Sequence, residues 1–321
     1  MKKHLFTAVT LILVLSLALS IPALAVGDAD LSGDEIAAEE TSDLPEETGK
    51  PEETPADAAA AEEEPADEKP AEEEPAKKDL RICINGEEVE FPTPATFIDS
   101  TTYVPLRAFA MAMGAKSVTW DGETGTAYVD TGKYTIAATR GGTEITANGR
   151  HFYAPTGNRA SSGVFMVPLR TIASAFGADV LWAGELRTVY VTYTGAGIAS
   201  GDEYYDSDEL YWLAHIINAE ARGESLEGKI AVGNVVMARV KSSYYPNSVY
   251  GVVFDGYQFS PAFDGSIYYT PSAESWLAAE LVLDGAKVIP DCLFFAASYL
   301  NCWATYNRAY CTTIGGHTFY Y

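Results

Sequence analysis

Two glutamates stand four residues apart in "HIINAEARGE" (215–224), Glu220 inside an apolar run and Glu224 after a glycine. A carboxylic acid can donate a proton to a leaving oxygen near neutral pH only if its surroundings hold its pKa up, and burial does that. Counting about 100° per residue with Leu210 at zero, Leu213, Ala214, Ile216, Ile217 and Ala221 form one apolar stripe. Glu220 falls at about 280°, between Ile216 and Leu213, whereas Arg222 falls at about 120° with Tyr211, His215, Asn218 and Ala219 on the polar side. The alternative is a stripe-end carboxylate paired with a base such as Arg239.

The element that must position Glu220 is a helix from about Ser207. "DSDE" (206–209) resembles a capping box, with Asp206 as cap and Glu209 three residues on. A second helix follows, in which Val232, Val235, Val236 and Val240 are packing residues and Glu227 suits the first turn. Glu224, Glu227, Asp255 and Asp264 are further carboxylates near the candidate acid, and Asp264-Gly265 reads first as a turn.

The chain around these elements is heterogeneous. "MKK", a leucine-rich stretch and "IPALA" read as a secretory signal over 1–25, with cleavage expected after Ala25 and an uncleaved anchor as the alternative. Residues 26–78 form an acidic Pro/Glu/Ala linker: 28–78 hold 20 acidic residues against 4 lysines, and "AEEEPA" occurs at 61–66 and 71–76. Aromatic residues are absent there, so this segment is expected to be disordered. The net charge of −24 and the lack of a basic stripe argue against nucleic acid as a partner. No later segment is apolar enough to span, so no stable membrane span is expected once the signal is cut.

Residues 79–194 contain an internal repeat. "YVPLRAFAMAMGAKSVTWDGETGTAYV" (103–129) matches "MVPLRTIASAFGADVLWAGELRTVYV" (166–191). Each copy reads as a strand, a helix with Pro105 or Pro168 at its first position, a stop at Gly114 or Gly177, and two strands, the first carrying Trp120 or Trp182 as a half-buried residue. Arg107 and Arg170 recur, which points first to structural hydrogen bonding rather than to ligand contact. With "NGEEVEF" (85–91), these motifs resemble the copper amine oxidase N-terminal-like stalk domain. That resemblance implies a small extracellular α/β module, perched on surface proteins and holding them at the cell wall. It does not import a metal, because this half has one histidine, His151, and one cysteine, Cys83.

A Gly- and Asp-rich joint (195–205) leads to residues 206–321. There "INAEARGESLEGKIAVGNVVMARVKSSYYPNSVYGVVF" (217–254), "QFSPAFDGSIYYTP" (258–271), "LFF" (293–295) and "TTIGGHTFY" (312–320) resemble the SleB-type spore-cortex-lytic and cell-wall hydrolases. The resemblance implies an α+β, lysozyme-like domain with a groove for glycan strands. It also implies cleavage of the bond between N-acetylmuramic acid and N-acetylglucosamine in peptidoglycan, as a lytic transglycosylase with Glu220 as the acid and no cofactor or metal. A water-using enzyme would need a second carboxylate at a defined separation. On the same resemblance, Glu224, Arg239, Gln258, Ser260, Asp264, Thr313 and His317 are supporting or substrate-binding candidates, and Tyr257, Tyr268, Tyr269, Trp303 and Tyr306 could stack on sugar faces. The location implied is the wall or spore envelope of a Gram-positive bacterium.

The chain departs from the family pattern at Ala238, where Asn is usual, and in "FFAASYL" (294–300), which lacks the family's Asn and Pro. "NCWATYNRAYC" (301–311) adds two cysteines, and an exported chain favours disulfides, with Cys302–Cys311 the expected pair across a hairpin and Cys292 an alternative partner. Two other functions stay open: a non-catalytic wall-binding protein, and a peptidoglycan amidase. The second usually employs zinc, and the folded part has only His151, His215 and His317, without metal-ligand spacing.

Overall fold

The computed structural model describes residues 80–256 and 258–321, so the expected signal (1–25), the acidic linker (26–78) and Tyr257 lie outside the described residues. The first repeat opens with strands β1 (Arg81–Ile84), β2 (Glu87–Glu88), β3 (Thr96–Ile98) and β4 (Thr101–Pro105). Helix α1 (Leu106–Ala112) and the hairpin β5 (Ser117–Asp121) and β6 (Thr126–Asp130) follow. Strands β7 (Thr135–Thr139), β8 (Glu144–Ala147) and β9 (Arg150–Tyr153) extend that hairpin into one sheet in sequential order. The second repeat supplies β10 (Arg159–Ser161), β11 (Val164–Pro168), α2 (Leu169–Ala175), β12 (Asp179–Ala183) and β13 (Thr188–Thr192).

The two repeats meet through their Val-Pro strands. β4 and β11 are antiparallel, with Val104 opposite Val167, Tyr103 opposite Pro168 and Pro105 opposite Met166. Val104 thus faces its own repeat counterpart, the register of a local two-fold. Beneath this pair Phe109 and Phe176, which align with Ile172 and Met113 of the other repeat, meet edge to face at 6.4 Å, and both are fully buried. Pro105 and Pro168 occupy the N-cap position, one residue earlier than expected, because each also ends a strand and its fixed φ suits both roles. Gly114 and Gly177 close the helices at φ of 86° and 75°, as the pattern requires. The tryptophans depart from expectation: Trp120 and Trp182 are 45% and 40% exposed, while Val118, on the same face as Trp120, enters the core.

The C-terminal part is helical around a small sheet. Its helices are α3 (Gly201–Tyr204), α4 (Ser207–Ala221), α5 (Leu226–Lys241), α6 (Val249–Phe254), α7 (Pro261–Asp264), α8 (Ala273–Leu283) and α9 (Trp303–Asn307). Strands β14 (Phe294–Ala297), β15 (Tyr310–Ile314) and β16 (His317–Tyr320) form a sheet with β16 in the middle. The expected mixture of helix and strand is therefore present in both parts.

Helices α4, α5 and α8 pack against one another through Leu213, Ile216, Ile217, Ile230, Val236, Ala278 and Leu281, all fully buried. A Cβ at Gly233 would stand 2.9 Å from Val282 Cγ2 and 3.0 Å from Ile217 Cδ1, so α5 can approach both neighbours only with glycine there. Asp206 caps α4 by accepting from the Asp208 and Glu209 N–H groups, each at 3.0 Å. Glu209 does not complete a capping box; its carboxylate accepts the Val249 N–H at 3.0 Å and so ties α4 to α6.

The polar side assigned to α4 is also covered. His215 and Asn218 are 5% and 3% exposed. His215 Nδ1 lies 2.6 Å from the Ile267 carbonyl, and Asn218 Oδ1 accepts the Ser272 N–H at 3.1 Å. These bonds allow two polar residues inside a packed helix core. Where β9 meets α8, Arg150 Nε donates to Asp284 Oδ1 at 2.8 Å, and the Asp284 side chain is completely buried. Among the described residues, no helix is long and apolar enough to cross a membrane.

Candidate active site

Glu220 lies in the last turn of α4, half-buried, one residue before the helix ends. Loss of solvent pushes its carboxyl up to about 7; the Arg239 guanidinium draws it down and the Asp264 carboxylate raises it further. It forms no hydrogen bond or ion pair with any described residue. The ion pair with Arg239 weighed from the sequence is therefore not made. Arg239, on α5, is 5% exposed and donates from Nε to the Leu293 carbonyl at 2.8 Å. Its guanidinium lies over the Phe259 ring at 4.9 Å and the Tyr245 ring at 5.3 Å, and burial lowers its pKa. Arg239 Nη1 is buried without a hydrogen-bond partner among the described residues.

Glu224 has a different role. Its carboxylate reaches the turn between β15 and β16, where Oε2 accepts the Gly316 N–H at 3.0 Å. Oε1 lies 4.0 Å from His317 Nδ1. His317 packs edge-on against Phe295 at 5.4 Å, and burial lowers its pKa while Glu224 opposes that shift. The two glycines of "IGGH" admit the carboxylate: a Cβ at Gly315 would overlap Glu224 Oε2, and one at Gly316 would come within 2.8 Å of Oε1. Of the two readings of Glu224, the exposed loop residue gives way to one docked on the hairpin.

Lys229 escaped sequence reasoning. It is 2% exposed, and its Nζ donates to the Glu224 carbonyl at 2.6 Å and to the Glu274 carboxylate. A signal existed: Lys229, Gly233 and Val236 share one face at i, i+4 and i+7 of α5 and are all buried. The lysine thus holds the loop that carries Glu224 against the start of α5 and α8.

The remaining candidates are dispersed. Asp264 is exposed, and its Oδ1 accepts the Ser266 N–H at 2.8 Å in a turn closed by Gly265 at φ 87°. Hydrogen bonds from Ser266, from its side chain first and then from its N–H, lower the Asp264 pKa, so it is the charged partner felt by Glu220. Gln258 is exposed, with Nε2 3.4 Å from Asp255 Oδ2. Ser260 caps the short α7 with its backbone carbonyl, accepting from Phe263 at 2.9 Å and Asp264 at 3.1 Å. Thr313 is exposed on β15 and lies 3.1 Å from the Thr318 hydroxyl across the hairpin. Tyr268, Tyr269, Trp303 and Tyr306 are exposed at 59% or more, so they are surface rings rather than core.

The cysteine expectation is corrected. All four are free, and Cys302 and Cys311 are separated by α9, not by a hairpin turn. Cys302 bonds Thr305 at the start of α9. Cys311 sits at the bulge of β15 and packs with buried Cys292 in the small core under Phe319.

Two regions of the chain match known protein families. Residues 83–191 match the model of the copper amine oxidase N-terminal domain, and residues 223–320 match that of the cell wall hydrolase. The second span includes Glu224 and His317 and opens three residues after Glu220. The spore cortex-lytic enzyme of Bacillus subtilis is 39% identical over 80 residues, 25% of this chain and 25% of that protein. That of Bacillus cereus is 31% identical over 101 residues, 32% of this chain and 38% of the relative. The chain thus spans between a quarter and two-fifths of the length of these curated relatives. The catalytic domain of a germination-specific lytic transglycosylase, SleB from Bacillus anthracis, is 28% identical, with a TM-score of 0.35, covering 39% of this chain and 100% of that one. This chain therefore joins a region that matches the copper amine oxidase N-terminal domain to one that matches the cell wall hydrolase family and is similar in sequence to spore cortex-lytic enzymes.

Proposed function

We propose that the C-terminal domain cleaves the glycosidic bond between N-acetylmuramic acid and N-acetylglucosamine in peptidoglycan, as an exported lytic transglycosylase with Glu220 as its one acid and base. The observation that carries this reading is the half-buried Glu220 carboxyl, without a hydrogen-bond partner among the described residues and poised near neutrality by desolvation. Protonated Glu220 gives its proton to the oxygen leaving muramic C1, and positive charge develops at that carbon. The resulting carboxylate then takes the proton of the muramic C6 hydroxyl, whose oxygen closes onto C1 as an anhydro ring. The acid is regenerated, and no water is consumed. The ionised Asp264 carboxylate supplies negative potential to the same region. Exposed Tyr268, Tyr269 and Trp303 offer faces for sugar rings along a lysozyme-like groove. Similarity to spore cortex-lytic enzymes favours spore cortex as the substrate.

Digestion of purified peptidoglycan by the wild type and Glu220→Gln, read by mass spectrometry, tests the reading. Anhydromuramic ends from the wild type alone are expected. Reducing muramic ends would instead mean that a carboxylate such as Asp264 activates water. Equal activity in Glu220→Gln would remove Glu220 from the chemistry.

A further inference from the structure

The first repeat and the β10–β11 hairpin line a cavity of about 710 Å³, with Trp120, Phe165, Arg107, Arg140, Pro105 and Val118 among its walls. That volume suits a ligand of one to two sugar rings or their equivalent. Trp120 is 45% exposed, and Phe165 meets it tilted by 58° at 5.3 Å, so the indole face is not covered by a parallel ring. Arg107 and Arg140 are exposed, and neither guanidinium has a hydrogen bond or ion pair with a described residue.

The second repeat is an internal control. There Phe97 lies parallel to Trp182, with an interplanar angle of 8° at 6.2 Å. Arg170, the counterpart of Arg107, donates from Nη1 to the Val180 carbonyl at 3.2 Å. Among the described residues, the arginine of this motif is thus bonded in one copy and without a partner in the other, beside a ring that no parallel neighbour faces. The recurrence of this arginine called for a structural role, and only Arg170 fills it. Elsewhere Arg81, Arg150 and Arg159 are paired with carboxylates. In a chain of net charge −24, two guanidiniums without partners among the described residues, beside an aromatic-walled cavity, select an anion with a flat apolar face.

We propose that this cavity binds a carboxylate-bearing saccharide, with a sugar face on Trp120 and the carboxylate between Arg107 and Arg140. The choice of a muramic saccharide, whose lactyl group supplies the carboxylate, rests on the reading of the C-terminal domain. The domain would then hold the polymer that its neighbour cuts. The chain's own acidic segment, residues 28–78, is the rival occupant; it offers carboxylates but no ring larger than proline.

The test uses the full chain carrying Glu220→Gln, with its five tryptophan indoles labelled with nitrogen-15 and the Trp120 resonance assigned by Trp120→Phe. The probe is the disaccharide of N-acetylglucosamine and N-acetylmuramic acid, with neutral chitobiose as control. A saturable shift of the Trp120 resonance is expected with the first and not with the second. In Arg107→Gln/Arg140→Gln the dissociation constant read at Trp120 should rise by about tenfold or more, with the other indole resonances unmoved in the free protein. No shift, an equal shift with chitobiose, or an unchanged constant in the arginine variant would overturn the proposal. So would a Trp120 shift caused by deleting residues 28–78 with no sugar added, which would make the acidic segment the occupant. The readout lies in the N-terminal domain of a chain lacking the Glu220 acid, so it stands or falls separately from the digestion assay.

Discussion

Glu224 and Gly316 join the end of one helix to the tip of the last hairpin: the carboxylate accepts the glycine N–H at 3.0 Å across 92 residues of sequence. The contact depends on the absence of side chains at 315 and 316, and Gly315 also holds a φ of 53°. Glu224→Ala should therefore cost about 1–3 kcal/mol, the range for leaving a partly buried partner unsatisfied. Gly315→Ala should cost at least as much, because the new methyl overlaps Glu224 Oε2. The two changes break one contact, so the double variant should lose clearly less than their sum in chemical denaturation. Full additivity would mean that the contact contributes nothing.

Glu220 predicts a pH profile. Its folded pKa of about 7 lies above the ordinary 4.5, so the folded state holds the proton more tightly. As a general acid it works when protonated, and turnover should fall as pH rises through about 7. The stability sign follows from the same shift. The protonated carboxyl favours the fold below pH 4.5, and that advantage is lost as pH rises through about 7 and a desolvated charge appears. Glu220→Gln should consequently be more stable than wild type at pH 8, by on the order of 1–3 kcal/mol, while inactive on peptidoglycan. Equal melting temperatures of the two proteins at pH 5 and at pH 8 would count against the desolvated carboxyl.

Much of this arrangement was legible in residue spacing. The repeat, its glycine stops, the Asp206 cap and the place of Glu220 beside Ile216 and Leu213 all follow from local periodicity. What escaped depends on contacts distant in sequence. A helical wheel assumes one wet face, but α4 is covered on its polar side by the Ile267 turn and the start of α8, which bond His215 and Asn218. Glu209 was diverted from its own helix end to the Val249 N–H, forty residues on. Lys229 is unreadable as a buried residue without Glu274 and the Glu224 carbonyl to receive its protons.

The cysteines should react unequally. Burial raises the Cys302 thiol, but hydrogen bonds from the Thr305 side chain and from nearby backbone N–H groups together outweigh it and lower the pKa, whereas burial pushes Cys292 up to about 12. Iodoacetamide on the native, reduced protein should label Cys302 first and leave Cys83 and Cys292 protected, as mass mapping of peptides can check. Rapid labelling of Cys292 would show that the small core under Phe319 opens readily.

The junction between the two parts should be sensitive to both mutation and pH. Arg150 and Asp284 form a pair with side chains 11% and 0% exposed, and the Tyr205 hydroxyl also donates to Asp284. Arg150→Ala leaves that carboxylate buried without its cation, at a cost of about 3–5 kcal/mol, and calorimetry should then show the two parts melting further apart than in wild type. Beside this pair, His151 Nδ1 is 2.7 Å from Glu144 on β8 and its Nε2 is 3.5 Å from Glu280 on α8. The hydrogen bond to Glu144 raises its pKa above 6.5, against desolvation, with Glu280 and Asp284 adding to the rise. Because the folded pKa is the higher one, the protonated imidazolium stabilises the junction fully below pH 6.5, and this is lost as pH rises through the folded value. The junction in wild type should weaken between mildly acidic and mildly alkaline solution. In His151→Gln that pH dependence should shrink, and an unchanged slope of melting temperature against pH would exclude His151 as its source.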